Sequence, residues 1–507
     1  MSDPSNTPNI FFIVTDQHLK RTIGAYGGEP AITPCVDSLA REGVLFPNAY
    51  TTCPVCSPAR ASIQTGYYPF RHGMQTNLFM HGAMIHELAD SPALLSRRLE
   101  QAGYYPALNG KWHLGFGKES FEDPFYRQYG HHFDRNINDI VYPSFYRSGS
   151  GMPSAVGYHG DDFPGHGNDG SGYPQFQDYL RSHGLPREIR MAGDNYGEVM
   201  SPEESTVDHF LTSRAIELAQ EGCRSGSPLF LMLNYWGPHN PMLVPGQFLD
   251  PFRNRSFSPW PSFDEDLRSK PRIHQATRLR RPWAYFEDCL RYAMAYSSYI
   301  DSQIARFLSH LQSQGLYDES LIIFSADHGD GAGVHGGLVN KAFFMYEEAV
   351  TVPLIIKPPA SWKSTRGSRD GRLVNLTDLY ATILEAAGLP RQTAQERHGR
   401  SLVPALTTEG ATNWPDTVVT EGSGVDGCLI SQRMIRHGSL KYVFNAADTD
   451  ELYDLEEDPH EMNNRVGDAA CREKLGDIRD RLRAWMESRG DALLTYFRRI
   501  IENESIN

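Results

Sequence analysis

The most reactive segment of this 507-residue chain reads Cys53-Pro-Val-Cys56-Ser57-Pro58-Ala59-Arg60-Ala-Ser-Ile-Gln-Thr-Gly66. Pro58 suits the first turn of a helix and Gly66 its exit, so Cys56 is expected at a helix N-terminus beside Arg60. Backbone N–H groups and a guanidinium in that setting stabilise an anion or a developing oxyanion. Three further clusters, Asp16-Gln17-His18, Pro238-His239 and Asp327-His328-Gly329-Asp330, each follow a compact apolar run. Acids seldom sit beside buried strands without a partner, so a metal or an anion site accounts for them better than chance.

Holding those groups together requires a scaffold. Residues 9–15, 229–235, 321–325 and 352–357 read as buried strands, and residues 91–103, 205–221, 292–314 and 378–388 as helices, several closed by glycine. The alternation predicts an α/β fold, a mostly parallel sheet with helices on both faces and a site beyond the carboxyl ends of the strands. Around residues 410–420 the pattern shortens, which predicts a catalytic domain over 1–412 and a smaller C-terminal α+β domain over 413–507. The latter should hold a short antiparallel sheet and a final helix from about residue 472 to 500. Two Gly-, Pro-, His- and aromatic-rich regions, about 116–200 and 245–283, read as irregular insertions that shape a pocket or cover a surface.

Cys56-x-Pro-x-Arg60 followed by Ala-Ser-x-x-Thr-Gly66 resembles the signature of the type I, formylglycine-dependent sulfatases of the alkaline-phosphatase-like superfamily. Gly103-Tyr-Tyr-Pro-Ala-Leu-Asn-Gly110-Lys111-Trp112-His113-Leu-Gly115 is similar to that family's second motif. Residues 9–16, Pro238-His239-Asn240-Pro241, Asp327-His328-Gly329, Lys341, and Leu452-Tyr453-Asp454-Leu455 with Asp458-Pro459 extend the match over nearly the whole chain. The resemblance implies an alkaline-phosphatase-like fold and release of inorganic sulfate from a sulfate monoester, with a sulfated carbohydrate the first expectation.

Such an ester is an anion whose sulfur water attacks poorly, so the site must supply a strong nucleophile and neutralise charge. The resemblance implies that a maturation enzyme oxidises Cys56 to formylglycine. One hydroxyl of its hydrate, acidified by a metal, attacks sulfur and expels the alcohol, and deprotonation of the other ejects sulfate. It further implies a metal shell of Asp16, Gln17, Asp327 and His328 with an oxygen of residue 56. Calcium suits the oxygen donors, while the imidazole leaves Mg²⁺ or Mn²⁺ open. Many sulfatases carry Asp-Asp where this chain has Asp16-Gln17, and Asn where it has His328. By the same resemblance Arg60 and Lys111 orient the diol, His113 is the base that releases sulfate, and His239, aided by Lys341, protonates the leaving alcohol. Asn77, Lys111, His239 and Lys341 contact substrate, and His18, His72 and His335 lie near the pocket without assigned chemistry.

Composition sets the outer bounds. A formal charge of −14, with 48 Lys and Arg against 62 Asp and Glu, is unlike a nucleic-acid coat. The polar start and the lack of a long apolar run predict a cytoplasmic protein without a membrane span. Seven scattered cysteines do not resemble a disulfide framework, and Cys53-x-x-Cys56 lacks the further ligands of a zinc site. Gly165-His-Gly-Asn-Asp-Gly170 matches a dinucleotide fingerprint as text but sits in a Gly-rich insertion. Residues 268–281 hold Arg268, Lys270, Arg272, Arg278, Arg280 and Arg281, either a solvated loop or a subsite for further anionic groups. The rival activities are a phosphonate monoester hydrolase or phosphodiesterase of the same superfamily, similar in Asp16-Gln17, Asp327-His328 and Asn77, and a non-catalytic binding protein. The pair Lys111-x-His113 favours sulfate.

Overall fold

The computed structural model describes residues 7–28, 31–78, 85, 87–115, 151–163, 169–170, 173–391, 396–407, 413–425 and 428–504. Residues 116–150 of the first expected insertion, and most of the Gly165-to-Gly170 string, lie outside the described residues.

The central sheet has seven strands: β1 (Ile10–Asp16), β2 (Val44–Leu45), β3 (Tyr105–Gly110), β4 (Leu229–Pro238), β5 (Leu321–Ala326), β6 (Leu354–Lys357) and β7 (Ser368–Arg369). Their order is β7-β2-β6-β5-β1-β4-β3. β3, β4, β1 and β5 run parallel, while β6 runs antiparallel to both β5 and β2, so the sheet is mixed and mostly parallel, as expected. It is covered by α1 (Pro34–Glu42), α2 (Cys56–Thr65), α3 (Leu95–Gln101), α4 (Val207–Ser225), α5 (Trp283–Ser313) and α6 (Leu376–Ala386). Phe11 and Ile13 of β1 pack with α1, α4 and α5, and Ile10, Phe12 and Val14 with α2, α3 and α6. Burial on both faces is why β1 reads as one apolar run without alternation.

Beyond it β8 (Thr417–Val425), β9 (Cys428–His437), β10 (Leu440–Asn445) and β11 (Glu451–Asp454) form an antiparallel sheet in sequential order. Val419, Ile435, Tyr442, Phe444 and Leu452 pack there against Ile478, Leu482 and Met486 of α7 (Arg472–Arg489) and Phe497 of α8 (Leu494–Glu504). The expected single terminal helix is thus two, because Gly490 takes a left-handed φ of 72°. β8 runs against the segment preceding Cys56: Glu421 donates its N–H to Thr52 O at 2.8 Å, and Thr420 its hydroxyl to Thr51 O at 2.7 Å.

Sequence and structure part in three other places. β3 was not expected, since Pro106, Asn109 and Gly110 mask it; it lies at the sheet edge, where proline is tolerated. α5 begins at Trp283, well before residue 292, following Pro282. The first insertion also carries regular structure, with Ile189–Met191 and Tyr196–Val199 joining Met242–Pro245 in a three-stranded sheet. Among the described residues no helix is long and apolar enough to cross a membrane.

Candidate active site

The parallel strands deliver their last residues to one edge. Asp16 ends β1, Lys111 follows β3, His239 follows β4, and Asp327 and His328 follow β5. The chain reaches Lys111 through Gly110, at φ 96°, where an added Cβ would lie 1.9 Å from Asn234 O, so only glycine permits the turn. α2 brings Cys56, its first residue, and Arg60 to the same edge, and ends at Gly66 (φ 68°) as the sequence predicts. Ser57 donates its N–H to Asn77 Oδ1 at 3.0 Å and its hydroxyl to His113 O at 2.8 Å, which fixes the start of α2.

Arg60 organises the acids. Its Nη2 donates to Asp16 Oδ2 at 3.1 Å, its Nε to Asp327 Oδ2 at 3.0 Å and its Nη1 to Lys111 O at 2.9 Å. The Lys111 ammonium also pairs with Asp16 Oδ2. Both Oδ2 atoms are thereby occupied, and the Oδ1 atoms turn toward Cys56 and His328. Cys56 Sγ lies 3.2 Å from His328 Nε2 and 3.8 Å from Asp16 Oδ1, and His328 Nε2 lies 3.6 Å from Asp327 Oδ1. His328 Nδ1 sits 2.9 Å from Gly329 O, a carbonyl that fixes the proton on Nδ1 and leaves the Nε2 lone pair facing the cluster. One ligating atom from each of Asp16, Cys56, Asp327 and His328 lies within 4.8 Å of the others, and all four residues are buried. Two carboxylate oxygens, an imidazole nitrogen and residue 56 converging on one point form a donor set that fits a divalent cation.

The electrostatics agree. Burial pushes the Cys56 thiol up, but Lys111, Lys341, His328 and His113 outweigh it and hold the thiol well below its ordinary value. Burial and Cys56 raise the Asp16 carboxyl, yet Lys111, His239 and Arg60 bring it well below the usual carboxylate range. Asp327 is held up by burial and by Asp16. The edge therefore favours negative charge at residue 56 while crowding acids around it, which a bound cation relieves.

The remaining expected residues are placed as follows. His113, buried at φ 55°, hydrogen-bonds the Cys56 thiol. His239 is half-buried, with Nδ1 2.6 Å from Asn240 O. Gln17 donates its backbone N–H to Asp327 Oδ1 at 3.1 Å, while its side chain meets Lys341, Asp330 and Asn340. Asn77 uses its carbonyl oxygen on Ser57. His18 lies buried between the Thr15 and Thr22 hydroxyls and is pushed down to about 3 by burial. His72 binds Ser62 and the Met74 N–H, and His335 pairs with Glu265 and stacks on Tyr346, so packing accounts for all three histidines. The basic run 268–281 is not one solvated face: Lys270 is buried, 3.0 Å from Glu265 and 2.9 Å from the Tyr453 hydroxyl, while Arg268 is exposed and paired with Asp266. Cys53 and Cys56 are both free thiols. Ser57 and Asn340 were missed by sequence reasoning, and Asp330 was read only as one more acid of its cluster. Their contacts are long-range, and only Asp330's place in Asp-His-Gly-Asp hints at them.

A family model described as Sulfatase matches residues 8–389, and one described as N-sulphoglucosamine sulphohydrolase, C-terminal, matches residues 333–488. N-acetylglucosamine-6-O-sulfatase from Bacteroides thetaiotaomicron is 25% identical over 517 residues, covering 94% of this chain and 86% of its own. A solved protein in complex with its substrate D-glucosamine-2-N,6-O-disulfate superposes with a TM-score of 0.70 at 21% identity, over 96% of this chain and 99% of its own. Phosphonate monoester hydrolase of Agrobacterium radiobacter superposes with a TM-score of 0.73 at 22% identity, over 95% of this chain and 96% of its own. At such identities the structural likeness establishes a common fold.

Proposed function

Because the chain belongs to the sulfatase family, we propose that its hydrolysis of sulfate esters is carried by residue 56 as formylglycine, beside a divalent cation held by Asp16, Asp327 and His328. The observation that supports this reading is the division of labour in the two acids, with Arg60 on both Oδ2 atoms and both Oδ1 atoms turned to Cys56 and His328.

Formylglycine supplies a carbonyl hydrate, with one hydroxyl to attack sulfur and a second to release it. The cation, calcium by its carboxylate donors with Mg²⁺ or Mn²⁺ as alternatives, supplies positive charge at residue 56 and at the sulfate oxygens. Lys111 and Arg60 hold Asp16 ionised and fixed in direction. Lys341 and Lys111 neutralise the transferring group as point charges. His113, already bonded to the residue-56 side chain, takes the proton whose loss ejects sulfate, and His239 at the rim gives a proton to the departing alcohol. Asn77 pins the first turn of α2, and its amide is assigned to help place the ester.

Cys56 is wholly buried, so the maturation enzyme must meet this segment before α2 packs. The substrate is assigned as a sulfated mono- or disaccharide, in keeping with the relatives named for such substrates. The test is a turnover panel with mass spectrometry of the peptide spanning residue 56. An aldehyde at 56 and faster release of sulfate from sulfated sugars than of alcohol from a phosphonate monoester are expected. Faster phosphonate hydrolysis would favour the second reading, which the likeness to a phosphonate monoester hydrolase raises and the pair Lys111 and His113 opposes.

A further inference from the structure

The loop that delivers Lys341 is held in a costly shape. Its backbone enters the left-handed region at Ala332 (φ 51°), His335 (46°) and Asn340 (59°), and Ala342 follows at 83°. Non-glycine residues persist there only where surrounding contacts over-determine them. Asp330 supplies such contacts. Its Oδ1 accepts the backbone N–H of Ala332 at 2.7 Å and of Asn340 at 3.1 Å, which ties both arms of the loop, and Gly331 donates to Asn340 O at 2.8 Å.

The second oxygen of Asp330 reaches across to β1. Oδ2 accepts from Gln17 Nε2 at 2.5 Å, and the same amide nitrogen donates to Asn340 Oδ1 at 3.2 Å. A carboxylate can only accept, so the Gln17 amide must show its NH₂ to Asp330 and its oxygen the other way. That oxygen accepts from the Lys341 ammonium. Gln17 itself is fixed by its backbone N–H on Asp327 Oδ1.

We propose that Asp330 and Gln17 form a positioning relay for Lys341: Asp330 sets the sense of the Gln17 amide, whose oxygen then holds the ammonium at the sulfate-binding edge with its other N–H groups free for sulfate. Gln17 on this account acts on Lys341 through its amide oxygen. The relay rests on the reading of Lys341 as a sulfate-binding residue. Both residues are positioning residues, since neither touches the reacting atoms.

A charge-transposition cycle tests it on the metal-loaded enzyme, with affinity for inorganic sulfate read by calorimetry and metal content and thermal midpoint followed in parallel. Asp330→Asn keeps the Oδ1 acceptor for the loop but turns an N–H toward Gln17, so the amide reverses and shows its NH₂ to Lys341. Gln17→Glu sets two carboxylates against each other. In the double variant the new amide at position 330 donates to the new carboxylate at position 17, which accepts from Lys341, so the chain of hydrogen bonds is restored with total charge conserved. Each single variant should bind sulfate about tenfold more weakly, and the double should return to within about threefold of the parent, with metal content unchanged throughout. Losses that multiply in the double variant, an Asp330→Asn enzyme equal to the parent, or loss of metal or of folding in place of affinity would each overturn the relay. Lys341→Met separates the two claims. Loss of sulfate affinity there with none in Asp330→Asn refutes the relay alone, whereas unchanged affinity in Lys341→Met refutes both the relay and the sulfate-binding role of Lys341.

Discussion

At the carboxyl edge of the central sheet Arg60 lies between Asp16 and Asp327, and beside β8 to β11 each buried cation likewise lies between two acids, but only at the edge do the second carboxylate oxygens turn to a thiol and an imidazole. Beside β8 to β11 Lys441 lies 2.7 Å from Glu461 and 2.9 Å from Glu347, and Arg433 lies 2.6 Å from Asp491 and 3.5 Å from Glu421. Both regions bury charge at comparable depth. The first leaves ligand atoms converging on a thiol, and the second closes its charges on one another. Convergence of donor atoms, and not burial of charge, is therefore what distinguishes a reactive site from a structural ion network.

Asp327→Asn should act on the edge alone: sulfate release is expected to fall on the order of 10³-fold, with loss of bound metal in elemental analysis and little change in melting. A variant that melted early but kept its metal would place Asp327 with the structural network. Arg433→Met should do the opposite, leaving Glu421 and Asp491 buried without their cation and costing about 3–5 kcal/mol in denaturant unfolding. Its kcat/KM per folded molecule should fall far less than in Asp327→Asn, because Arg433 pairs with Glu421 and Asp491 and with none of the converging ligand atoms. An effect confined to acid pH concerns His398, whose Nδ1 accepts the Tyr68 N–H at 3.0 Å beside Phe70. Burial, then Arg489, Arg71, His72 and Arg397, push it down to about 3. The unfolded chain binds this proton near the ordinary 6.5 and the folded chain does not, so the stabilisation is present above that pH and is lost as pH falls toward 3. His398→Gln should flatten the stability profile across that window by at most about 1.4 kcal/mol per pH unit, read from urea midpoints. An unchanged slope would mean that His398 is solvated.

Which parts could be read in advance follows from the range of the contacts involved. β1, β4 and β5 are continuous apolar runs because both faces are covered, and α2 announces itself through Pro58 and Gly66, so the edge and its Asp16, Asp327 and His328 were legible. β3 was not, since a strand containing Pro106 and ending on Gly110 has no local signature and is fixed by pairing with β4. β9 escaped for a similar reason: it presents Cys428 and Leu429 to solvent and buries Met434 and Ile435 only after pairing on both sides. The role of Asp330 was equally hidden, because its partners Gln17 and Asn340 lie on separate segments joined only by the fold.

Residue 56 is where sulfate release should be most sensitive to substitution. With divalent cation supplied to both proteins, inorganic sulfate released from an aryl sulfate should be compared between the parent enzyme and Cys56→Ala, each shown to be folded by its melting transition. A fall of about 10⁴-fold or more in the variant, with the transition retained, is expected for loss of the nucleophile. Equal rates of release would contradict the assignment of the reaction to this position.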